Sequence, residues 1–145
     1  GGEPFPLDPA QRPLYHAAAA IAANGFVALV GTAAELLGRA AGLERARAVR
    51  HLLPLLRGVL HNLEQLGLPQ ALTGPVARAD RTTLERHVQA LAHAAPEQLA
   101  LYRVLARAML PLARERAAAD PERLAALEAL AQWLAEGQHG EEVPR

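Results

Sequence analysis

The sequence predicts an all-α protein, a helical bundle built around one long buried central helix. Three observations carry that prediction. Alanine and leucine dominate, aromatic residues make up only 3%, and isoleucine occurs once, at Ile21; this favours helices and is poor in the residues strands prefer. No segment sustains the period-two alternation of a half-buried strand. Two Asp-Pro pairs, Asp8-Pro9 and Asp120-Pro121, each supply an N-cap followed by a proline suited to the first helical turn.

The elements follow in order. Residues 1–13 hold Pro4, Pro6 and Pro9 close together and read as an extended linker, with no basic, apolar leader pattern. A first helix starts at Asp8-Pro9, or a turn later at Pro13, and runs to about Ala41 with Gly42 as its cap. From Pro13 to Ala34 it carries no formal charge. A membrane span is disfavoured, because much of the stretch is alanine and His16, Asn24, Gly25, Gly31 and Thr32 interrupt it. A helix buried on all sides is the better expectation. One small domain rarely encloses such a helix, so a second copy is expected to supply the missing wall, with Gly25, Ala28 and Gly31 allowing close approach.

A second helical stretch runs from Leu43 to Leu66 and ends at Gly67, with Pro54 expected to divide it. The segment from Leu68 to Ala79, with Pro69, Gly74 and Pro75, breaks the helical pattern. Asp80 caps the next helix, which ends near Ala94, and Thr82 with Glu85 has capping-box spacing. Pro96 opens a helix through about Ala119 with a kink expected at Pro111, and Asp120-Pro121 opens the last, through Glu136 to a cap at Gly137. Residues 138–145 read as a flexible tail, leaving 14–137 as the helical domain.

Composition narrows the chemistry. The 145 residues suit one domain, and 51% hydrophobic residues suffice for a core. There is no cysteine, lysine or serine, so thiol, Schiff-base, P-loop-lysine and serine-nucleophile chemistry are excluded within the chain. The 15 basic residues, all arginine, balance the 15 acidic ones; without a positive surplus, nucleic acid and anionic membrane surfaces are not expected partners. The histidines at 16, 51, 61, 87, 93 and 139 form no i,i+3 or i,i+4 pair, and no metal site is expected. No glycine-rich fingerprint or Walker loop is present, so no cofactor is expected in this chain.

Two polar sets remain. Thr73-Gly74-Pro75-Val76-Ala77-Arg78-Ala79-Asp80 leads to Thr83 and His87, and the i, i+3, i+7 spacing of Asp80, Thr83 and His87 places them on one helix face. The start of that helix could receive an anion beside Arg78, or the segment is simply a capped helix with a solvated arginine. Tyr15, His16 and Asn24 interrupt an apolar helix. They either hydrogen-bond at a helix interface or line a cleft, since unsatisfied burial is costly.

Leu14-Tyr15-His16-Ala17-Ala18-Ala19 leading to Asn24, then Leu72-Thr73-Gly74-Pro75-Val76-Ala77-Arg78-Ala79-Asp80 leading to His87, resemble the C-terminal half of a Rossmann-like NADP oxidoreductase family similar to ketopantoate reductases. That half is catalogued as a domain of unknown function, and the resemblance spans roughly Pro4 to Leu112. It implies an all-helical domain similar to the 6-phosphogluconate dehydrogenase C-terminal domain, a cytoplasmic homodimer, and NAD(P) bound by an N-terminal Rossmann domain outside this chain. Residues 1–13 would then be the connection from that domain, and the isolated chain is not expected to be active. By the same resemblance His16 is the catalytic candidate, a proton donor to a carbonyl or imine of a small-molecule substrate. Tyr15, Asn24, Gly74, Pro75, Arg78, Asp80, Thr83 and His87 are the substrate-binding candidates. One departure stands out. The family commonly has glycine where this sequence has Ala79, and a left-handed backbone there would strain alanine. The absence of lysine removes the catalytic lysine of related hydroxyacid dehydrogenases. The residues alone leave open a helical dimerisation module with no chemistry of its own.

Overall fold

A computed structural model describes residues 4–136, and among these every regular element is helical. Seven α-helices succeed one another: α1 (Arg12–Ala20), α2 (Phe26–Ala41), α3 (Arg45–Leu66), α4 (Gly74–Ala77), α5 (Arg81–Ala94), α6 (Leu99–Arg116) and α7 (Pro121–Glu136). The expected cap at Gly137, His139, the tail at 138–145 and the first three linker residues lie outside the described residues. The chain divides into two compact units, residues up to Leu53 and residues from Pro54 onward.

In the first unit, Asp8 caps the start as expected, its Oδ1 accepting from the Ala10 N–H at 2.9 Å. A 3-10 turn at Pro9–Gln11 leads into α1, and a π-helical turn, Ile21–Gly25, joins α1 to α2. Together they form one apolar helical run, Pro9–Ala41, of 33 residues. The run ends at Gly42, whose φ of 64° is left-handed. By length and composition it is long and apolar enough to cross a membrane, yet only 6% of its most apolar stretch is buried. The chain's own residues therefore do not make this the buried central helix expected: no residue from Pro4 to Asn24 is buried within the chain, and Ala34 alone is buried in α2. The unit offers only the first turns of α3 to pack against it, too little to enclose a helix of this length. Gly31 serves a contact within the chain, since a Cβ there would lie 3.1 Å from the Arg45 guanidinium. Arg45 in turn pairs loosely with Glu35 at 3.9 Å.

The second stretch differs from expectation at Pro54, where α3 continues instead of dividing. Proline removes the hydrogen bond to the Arg50 carbonyl and costs about 3 kcal/mol in a helix interior. Arg50 is exposed, so water can satisfy that carbonyl, and the flanking leucines are strong helix formers. Helix α6 likewise continues through Pro111.

The second unit packs α4, α5, α6 and α7 around one core. Val76, Leu84, Ala106, Leu110, Ala113, Leu127, Leu130 and Leu134 form its centre. Leu127 is fully inaccessible to solvent. Alanines on α6 let leucines of α7 approach closely, a large-against-small fit that gives dense packing. Asp120 caps α7, accepting from the Arg123 N–H at 3.0 Å. At the surface, Arg114 of α6 donates two parallel hydrogen bonds to Glu128 of α7, at 2.8 and 2.9 Å. Arg81 of α5 donates to Glu85 at 2.7 Å and lies 5.6 Å from the centre of the Trp133 ring of α7.

Candidate functional site

The segment from Leu68 to Ala79, expected without a helical pattern, contains the single helical turn α4. Gly74 opens it with φ of 90°, a conformation side-chain-bearing residues rarely adopt, and Pro75 fits its first turn. The turn ends in a left-handed wrap. The Asp80 N–H donates to the Pro75 carbonyl at 2.8 Å and the Ala79 N–H to the Val76 carbonyl at 3.0 Å, the paired bonds of a Schellman ending. Such an ending needs a left-handed residue between Arg78 and Asp80. Ala79 supplies it with φ of 53°, the only positive φ at a non-glycine among the described residues. The alanine thus keeps the backbone a glycine would adopt, at a cost of about 1–2 kcal/mol.

The wrap delivers Asp80 to the start of α5. Its Oδ1 accepts from the Thr83 N–H at 3.0 Å and its Oδ2 from the Thr83 hydroxyl at 2.7 Å. The Arg78 guanidinium lies 3.7 Å from the same Oδ2 and is largely exposed. The two Thr83 hydrogen bonds, with the Arg78 charge behind them, hold the Asp80 carboxyl below its ordinary pKa. Asp80 and Thr83 therefore satisfy one another, and one of the free amides in the first turn of α5 goes to the cap rather than to an anion. The Thr82–Glu85 capping box does not form: Asp80 is the cap and Glu85 pairs with Arg81.

His87, one helical turn beyond Thr83, does not join the cap. Its Nδ1 lies 2.8 Å from the Tyr102 hydroxyl of α6, and the two rings meet edge to face at 5.9 Å. Tyr102 is partly buried against the core, and that burial pushes its hydroxyl pKa up. A second residue supports the segment from afar. The Arg116 guanidinium donates to the carbonyls of Gln70, at 3.1 Å, and Leu72, fixing the chain just ahead of Thr73-Gly74. Sequence reasoning singled out neither Tyr102 nor Arg116, which lie 15 and more than 40 residues from their partners, beyond any helical spacing.

Tyr15, His16 and Asn24 belong to the first unit. Tyr15 and His16 have ring centres 5.5 Å apart, and Phe5 meets Tyr15 edge to face at 6.0 Å. Asn24 lies in the π-helical turn, a local widening that often marks functional positions in helices. All three are exposed, and neither hydrogen bonding at a buried interface nor burial in a cleft is seen for them within the unit. Among the described residues no three His, Asp or Glu side chains gather as a metal site.

The sequence profile of the family described as Domain of unknown function (DUF2520) matches residues 1–109. The chain belongs to that family. The match takes in both polar sets and ends within α6, so DUF2520 covers Tyr102 while Arg116 and α7 fall beyond it. No curated protein and no solved structure matches the chain.

Proposed function

We propose that this DUF2520 chain is the dimerisation and substrate-binding domain of an NAD(P)-dependent oxidoreductase, the nicotinamide cofactor being held by a Rossmann domain outside these residues. The observation that carries the reading is the Pro9–Ala41 helix, apolar and uncovered along a surface in which Tyr15, His16 and Asn24 stand as isolated polar groups. A contiguous apolar surface of this kind marks an interaction site, and a second copy of the chain fits its lack of charge from Pro13 to Ala34. The resemblance of the two polar motifs to the ketopantoate-reductase-like family supplies the reaction class.

The bound cofactor would supply hydride. His16 would give the proton to the carbonyl or imine, since imidazole titrates near neutral pH. In the second unit, taken by itself, Arg78 would offer its exposed guanidinium to an acidic ligand, and His87 would hydrogen-bond the same class of ligand.

In the protein carrying its cofactor domain, His16→Ala is expected to lower turnover about 10²- to 10⁴-fold, the usual worth of a general acid, with the dimer intact. An unchanged rate on a verified substrate would end the assignment. One observation favours a second reading, a helical dimerisation module without chemistry: Asp80 and Thr83 are spent on each other, as in an ordinary capped helix. Under that reading Arg78→Ala changes neither assembly nor ligand binding.

A further inference from the structure

We propose that Tyr102 is a positioning residue for His87, fixing the tautomer of the neutral imidazole with Nδ1 accepting and Nε2–H left to donate to an oxygen atom of a ligand. The geometry combines a short contact, 2.8 Å from the Tyr102 oxygen to Nδ1, with an edge-to-face ring arrangement that restricts rotation of the imidazole. The tyrosine is the fixed member of the pair. Its ring packs on the core of the second unit, whereas His87 is exposed on α5. A phenol is a better donor than a neutral imidazole N–H, and the Nε2–H form is the one imidazole prefers in water. Both effects favour the tyrosine as donor and Nδ1 as acceptor. The remaining ring nitrogen then carries the proton. A group aimed this way suits a carbonyl or carboxylate oxygen, the acceptor class of a 2-oxo acid or related carbonyl substrate.

The ligand class rests on the oxidoreductase reading; the state of the imidazole does not. It is read directly from long-range proton–nitrogen NMR correlations of the histidine rings in the whole chain above the histidine titration range. His51, His61 and His93 are exposed and serve as internal references. The expected result is a His87 Nδ1 at the unprotonated nitrogen position and Nε2 at the protonated one, with the reference histidines displaced toward averaged values. In Tyr102→Phe, which keeps the packed ring, His87 should move to the averaged pattern. Averaged or reversed nitrogen shifts in the unaltered chain would overturn the proposal without recourse to any variant. So would a Tyr102→Phe spectrum with His87 unmoved. Failure of the oxidoreductase reading shows elsewhere, as loss of turnover on any carbonyl substrate, and leaves these shifts unchanged.

Discussion

The two units spend similar amino acids in opposite ways. From Pro54 onward, leucines on α5, α6 and α7 close against alanines and vanish from solvent, Leu84 and Leu130 at 1% exposure. Up to Leu53, Ala34 and Ala48 are the buried residues among those described, while Ile21 and Val27 stand 75% and 70% exposed. Hydropathy does not explain the difference, since the first unit contains the most apolar helix of the chain. Arrangement does. Helices α5, α6 and α7 bury apolar side chains against one another, whereas the Pro9–Ala41 helix has only the first turns of α3 beside it in its own unit.

The first way to test this contrast is to truncate a side chain on each side of it. Leu127→Ala is expected to cost about 2–5 kcal/mol in denaturant unfolding, because it leaves a cavity in the core. Ile21→Ala should leave the unfolding of the second unit untouched; equal losses would erase the distinction between the units.

Smaller effects sharpen the picture around the candidate site. Arg116→Ala removes the two carbonyl contacts ahead of Gly74. It is expected to cost about 1 kcal/mol, as for a typical net hydrogen bond at the surface, and to raise amide exchange from Gln70 to Gly74. Ala79→Gly should have the opposite sign, stabilising by about 1 kcal/mol, since glycine takes the left-handed backbone without strain while its greater unfolded-state freedom returns part of the gain. A destabilised Ala79→Gly would mean that packing of the alanine methyl on the core outweighs the strain.

The smallest effect is a dependence on pH. The hydrogen bonds from the Thr83 hydroxyl and N–H hold the Asp80 carboxyl below its ordinary pKa. Its folded-state pKa is depressed, so its contribution is present above the unfolded value and is lost as pH falls through the folded one. Asp80→Asn should therefore flatten the stability profile below about pH 4 and leave it nearly parallel above. Melting curves across acid pH would show this, and an unchanged acid slope would remove Asp80 as its source.

How much of this was legible in the sequence follows the range of each interaction. The caps at Asp8, Gly42, Asp80 and Asp120 were readable because a cap is decided within four residues. At Ala79 the family resemblance pointed to a glycine position, and the structure keeps that left-handed backbone on alanine.

 At Ala79 itself, the Schellman bonds from Asp80 and Ala79 state the requirement in full. Other features were out of reach. The passage of α3 through Pro54 depends on where the freed Arg50 carbonyl meets water, which spacing does not encode. The π-helical turn left only Asn24-Gly25 in mid-helix as a trace. Tyr102 and Arg116 act across the fold, so their partners emerge only once α5 and α6, or α6 and the segment before α4, are placed. The chain alone does not bury the first helix for a related reason: its apolar pattern states a need for cover and not what provides it.

The central claim is that a second copy of the chain covers the Pro9–Ala41 helix. Sedimentation equilibrium of the chain without detergent, beside Ala28→Glu, tests it most directly. The account predicts a dimer that the glutamate converts to monomer while α-helical content is kept. A monomer at every concentration, a dimer that tolerates the glutamate, or a chain that stays in solution only with detergent or lipid would contradict it.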